Sequence, residues 1–68
     1  MNFHIELEQE TDGRWIGEVP ELPGVMTYAD SRQDALARVQ ALALRVIADR
    51  LEHGEGAPEM LTVVFEAA

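Results

Sequence analysis

An α+β fold of order β-β-β-α-β, with a small, mainly antiparallel sheet on one long helix, is what this sequence predicts. Three observations carry that reading. Phe3, Ile5 and Leu7 alternate with His4, Glu6 and Glu8, which is the two-residue period of a strand buried on one face. Pro20-Glu21-Leu22-Pro23-Gly24 forms a stiff corner, because each proline fixes φ and removes a donor while Gly24 opens backbone angles closed to other residues. Ala35, Leu36, Val39, Leu42, Ala43, Val46, Ile47 and Leu51 recur at helical spacing and make one apolar stripe.

Each element follows in order. After the first strand, Thr11-Asp12-Gly13 supplies turn chemistry. Residues 14–19 read as the returning strand. Trp15, Gly17 and Val19 lie on one side of it and Ile16 and Glu18 on the other, and the run alone leaves open which side meets the core. Gly17 admits a close approach by another backbone or by the helix. Residues 25–28 form a third, shorter strand. Ser31 is a good N-cap, and Asp34 completes a weak capping box at the positive helix end. The helix runs about 20 residues, roughly 30 Å, and Gly54 sits where a C-terminal glycine belongs. Residues 54–58 are a loop, residues 60–65 a fourth strand, and Ala67 and Ala68 a tail.

The 68 residues make one domain, 1–68. A chain this short buries only about 60% of the surface its unfolded form exposes. It has no cysteine, so neither a disulfide nor a Cys-based zinc or redox site is available. Small domains without such staples often self-associate, and a homodimer or homotetramer is expected. An apolar fraction of 47% argues for a globule over disorder. There is no signal-peptide pattern and no apolar run of membrane-spanning length, so the expected compartment is the cytoplasm.

Charge narrows the function classes. Thirteen Asp and Glu stand against five Arg and no Lys, for a net charge of -8. Such a surface repels phosphate backbones and anionic membranes, so neither direct nucleic-acid binding nor membrane binding is expected. A basic protein partner fits, because complementary potentials steer encounter. The plainer reading of the same acidity is solubility.

The order of turn residues resembles the N-terminal domain of the HicB-type antitoxins. The resemblance rests on Asp12-Gly13, Trp15, Pro20-Glu21-Leu22-Pro23-Gly24, Ser31, Asp34-Ala35-Leu36 and Gly54, and it spans about residues 3 to 58. It implies a partial ribonuclease-H-like shape. It also implies a protein that binds and neutralises a small basic HicA-type mRNA-cleaving ribonuclease of a toxin–antitoxin system by occluding its RNA-binding or catalytic surface. Many members carry a C-terminal DNA-binding segment that represses their own operon. These 68 residues hold no such segment, so repression by this chain alone is not expected. Where the family pattern often continues with Cys, Val25 stands here.

Catalytic readings fare poorly on the residues. A ribonuclease-H-like sheet raises the question of two-metal chemistry, which needs several carboxylates converging on ions about 4 Å apart. Glu6 or Glu8, Asp49 or Glu52, and Glu66 are the candidates, and a solvated acidic face accounts for them more simply. His4 and His53 have no partner nearby in sequence and read as surface histidines. Ser31, the one serine, is explained as a cap and lacks a nucleophile-elbow context. The chain is therefore read as a non-enzyme with no cofactor and no metal site. Trp15 reads first as a core anchor and second as an interface residue, while for Tyr28 the two readings are even. The contact surface for a basic partner is placed on Glu6, Glu8, Glu18 and Glu21, with Tyr28 as an apolar contact. The alternatives are a solo self-associating domain, held through the last strand or the helix, and a residual metal-dependent nuclease.

Overall fold

A computed structural model describes residues 2–54 and 63–67. The chain is α+β in the order β1 (Asn2–Gln9), β2 (Trp15–Glu18), β3 (Met26–Ala29), α1 (Arg32–Glu52) and β4 (Val64–Ala67). The four strands form one sheet in the order β3-β2-β1-β4. β1–β2 and β2–β3 pair antiparallel and β1–β4 parallel. The mixture follows from counting reversals. Two turns bring β3 back to the direction of β1, the helix reverses the chain once more, and β4 re-enters parallel to β1 on its free side.

The first turn is tied by its own residues. Glu10 N–H donates to Arg14 O at 2.7 Å and Gly13 N–H to Glu10 O at 3.0 Å. Asp12 accepts from the Arg14 amide at 3.0 Å and from its guanidinium at 2.8 Å. Gly13 has φ 93°, in the left-handed region where an L side chain is strained.

The proline corner does more than bend the chain. Val19 N–H donates to Val25 O, Leu22 N–H to Val19 O and Val25 N–H to Leu22 O, each at 3.0 Å. Val19, Leu22 and Val25 are all buried in the core. Val25 thus belongs to the corner and not to the third strand, which runs one residue further, to Ala29.

Gly17 decides which face of β2 meets the helix. A Cβ there would lie 2.9 Å from the Ala35 carbonyl oxygen and 3.1 Å from the Val39 side chain. The absence of a side chain therefore lets α1 lie directly on the sheet. Phe3 and Ile5 from β1 meet Val39, Ala43 and Ile47 from α1 in the core. Trp15 does not anchor this core; it is half-buried beside the first turn.

Ser31 caps α1 as expected, its hydroxyl accepting from Asp34 N–H at 3.1 Å. At the other end His53 N–H donates to Asp49 O and Gly54 N–H to Leu51 O. Gly54 has φ 73°, the left-handed close of a helix.

The last strand is placed later than expected. Residues 60–62 of the expected strand lie outside the described residues, and Ala67, read as tail, is in β4 opposite Ile5. The register that sets Phe65 beside Phe3 explains the shift. It brings the two rings to 5.8 Å between centroids, on the side where Phe3 joins the core.

Candidate protein-binding face

Strand alternation fixes what the outer face of the sheet presents. With Phe3 and Ile5 turned inward, β1 turns His4, Glu6 and Glu8 outward, all exposed. β2 adds Ile16 and Glu18, β3 adds Met26 and Tyr28, and β4 adds Val64 and Glu66. The registers then set neighbours across this face. Glu6 stands opposite Glu18, and Glu18 opposite Met26. Glu8 stands opposite Ile16, and Ile16 opposite Tyr28. One side of the face is therefore acidic and the other apolar.

The Glu6–Glu18 pair is an electrostatic cost. Directly opposed residues of an antiparallel pair lie about 5 Å apart, and like charges there are destabilising. Neither carboxylate forms a salt bridge among the described residues, and the His4 ring is the cation that Glu6 feels.

Glu21 sits at the rim of the same face with a defined task. Residues 2–5 of β1 pair with β4 and not with β2, so the side of His4 facing the corner has no strand beside it. The Glu21 carboxylate fills that place, accepting the His4 backbone N–H at 3.1 and 3.2 Å. It also accepts the His4 ring Nδ1–H at 2.5 Å. On the other side of the ring, Nε2 lies 3.6 Å from Glu66. The hydrogen bond to Glu21 and then its charge, with Glu66 and Glu6 adding to them, raise the His4 pKa. The same hydrogen bond lowers that of Glu21. The two shifts agree on an ion pair of protonated imidazole and carboxylate. His53 makes a smaller arrangement of its own, donating Nδ1–H to Asp49 O at 2.8 Å.

Tyr28 is 40% exposed. The Arg14 guanidinium stacks over its ring at 4.9 Å from the centroid, a cation–π contact. From below, Arg38 donates to the Tyr28 carbonyl at 3.2 Å. Tyr28 shares the outer face of β3 with Met26, two residues before it and 46% exposed.

The structure brings Glu6, Glu8, Glu18 and Tyr28 onto one face and puts Glu21 at its edge, engaged by His4. Sequence reasoning did not place Ile16 on this face or find the partners of His4. Ile16 and Met26 extend the apolar side, and pairing places them there. His4 finds its partners through tertiary contacts only, since Glu21 and Glu66 are remote in sequence. The carboxylates considered for two-metal chemistry are divided. Glu6, Glu8 and Glu66 lie on the outer face, while Asp49 and Glu52 lie on the helix across the sheet. Among the described residues, no helix is long and apolar enough to cross a membrane.

Comparison with known proteins places the chain. No family model matches it. No solved structure matches it. It is similar to a UPF0150 protein of Archaeoglobus fulgidus, 37% identical over 57 residues that cover 81% of this chain and 83% of the relative. At that identity, over most of both chains, this protein belongs to the UPF0150 family.

Proposed function

We propose that this chain is a HicB-like antitoxin domain, a binding module and not an enzyme. It would neutralise a small basic HicA-type mRNA-cleaving ribonuclease by covering the surface that grips RNA. The observation that carries the reading is the outer sheet face, where Glu6 opposes Glu18 beside the exposed Met26 and Tyr28. A face that holds two opposed carboxylates with no salt bridge to either among the described residues is relieved when Lys or Arg side chains arrive. The neighbouring apolar side supplies buried area once water is excluded. The Lys and Arg that bind RNA phosphates are the groups such a face attracts. Kinship with a UPF0150 protein of similar length is consistent with a small toxin–antitoxin-like family, and the turn residues of the sequence resemble the HicB type.

The test is inhibition of a HicA-type ribonuclease recovered with the tagged chain from its own cells. Adding the chain should suppress RNA cleavage at stoichiometric amounts. The double substitution Glu8→Lys with Glu18→Lys should weaken binding by about 100-fold or more, since it reverses two charges at one contact. Its circular dichroism should not change, because both side chains are exposed. Affinity unchanged by the double substitution would rule this face out.

A further inference from the structure

A second surface lies on the side of α1 turned away from the sheet. Ala37, Ala41, Leu44, Ala48 and Leu51 follow one another at alternating steps of four and three residues, and all five are exposed. That is the seam spacing of a coiled coil. Leu44 keeps 50% and Leu51 43% of its surface in solvent, on the side opposite the buried Ala35, Val39, Ala43 and Ile47. The helix therefore carries two apolar stripes, of which the sheet covers one.

We propose that the outer stripe pairs with its counterpart on a second copy of this chain, antiparallel. The result is a two-fold dimer layered sheet, helix, helix, sheet. Three observations select a second copy. First, the stripe is complementary to itself. One antiparallel register sets Leu44 against Ala48 of the second copy and Leu51 against Ala41 of the second copy, because 44 + 48 and 51 + 41 give the same sum. Symmetry repeats both contacts, so each leucine enters a gap left by an alanine and the helices can approach closely.

Second, charges flanking the stripe match in that register. Arg38 and Glu52 each follow a seam position, and the antiparallel arrangement brings Arg38 of one copy to Glu52 of the other, twice. Arg45 meets its counterpart near the axis, with Asp49 one turn along each helix to offset it. Opposed macrodipoles favour the same orientation.

Third, α1 is the one part of this acidic molecule where like can meet like. It holds four of the five arginines (Arg32, Arg38, Arg45, Arg50) and only three acids (Asp34, Asp49, Glu52). The rest of the chain is left with one arginine and ten acids. Two copies approaching by their sheets would repel strongly, while two copies approaching by their helices would not. This dimer leaves both outer sheet faces free, so it stands or falls independently of the toxin reading.

Sedimentation equilibrium on the purified chain tests it. The wild type should be a dimer at micromolar concentration. Leu44→Gln with Leu51→Gln should weaken dimerisation on the order of 100-fold, because four leucines per dimer lose their burial. Cross-linking provides a second readout, since the chain has no cysteine of its own. Leu44→Cys mixed with Ala48→Cys should form a covalent dimer under mild oxidation, more than either variant alone. A monomeric wild type would overturn the proposal. So would a dimer that survives the double glutamine substitution, or a mixture that cross-links no better than its components.

Discussion

A methyl group at position 17 would press on the Ala35 carbonyl oxygen, which belongs to the helix backbone and cannot rotate away. Gly17→Ala should therefore lift α1 from the sheet and destabilise the fold by about 1–3 kcal/mol, read as a lower denaturation midpoint in urea. His4 is the other residue with a sharp expectation. Its raised pKa and the lowered pKa of Glu21 set a window for their ion pair. Its stabilising effect is complete below the ordinary histidine value of 6.5 and fades as pH rises through the raised folded value. It is complete above the ordinary glutamate value of 4.5 and fades as pH falls through the lowered folded value. In an NMR titration His4 should lose its proton at higher pH than an ordinary histidine, and Glu21→Gln should bring it back down. Added salt should shrink the difference, because both groups face solvent. At this scale the sequence was half legible. Gly17 announced a close approach because a glycine inside a strand has few other uses. The partners of His4 were hidden, since they meet it only when the corner and the last strand close around β1.

At the scale of elements, local signals spoke most clearly where they act locally. The Ser31 hydroxyl holds the Asp34 amide, a bond formed within one turn, and it could be read from residue types alone. Ser31→Ala should cost about 1 kcal/mol, measurable as a drop in thermal midpoint with no change in helix content at low temperature. The proline corner was legible as a bend but not as core. Periodicity has nothing to say about a segment with no regular repeat, so the burial of Leu22 and Val25 had no signature. The last strand was legible in kind but not in place. An apolar run can slide along a parallel neighbour, and pairing Phe65 with Phe3 fixes the register only once both strands are present.

For the molecule as a whole, the uneven spread of charge was visible in composition, but its geography was not. Net charge alone does not reveal that the arginines collect on the helix while carboxylates collect on the outer sheet face. Nor does it reveal that Glu6 and Glu18 would be forced opposite one another. That collision depends on the length of the first turn, where the Glu10–Arg14 bond sets the hairpin register. A hairpin one residue longer or shorter would send Glu18 to the core side. The acidic face therefore rests on the turn as much as on the glutamates.

β1 also divides its allegiance along its length. Residues 6–9 are held by β2, while residues 2–5 are held by β4, so the sheet is two ribbons spliced end to end through one strand. The first ribbon closes through short turns; the second closes only after the chain has traversed α1. The splice lets the second ribbon open by itself, leaving the β1–β2–β3 meander intact. Native-state hydrogen exchange should then divide the molecule in two, with amides bonded across β1–β4 exchanging through a lower-energy opening than those bonded across β1–β2 and β2–β3. A single common exchange barrier would mean that the splice transmits strain and the sheet opens as one piece.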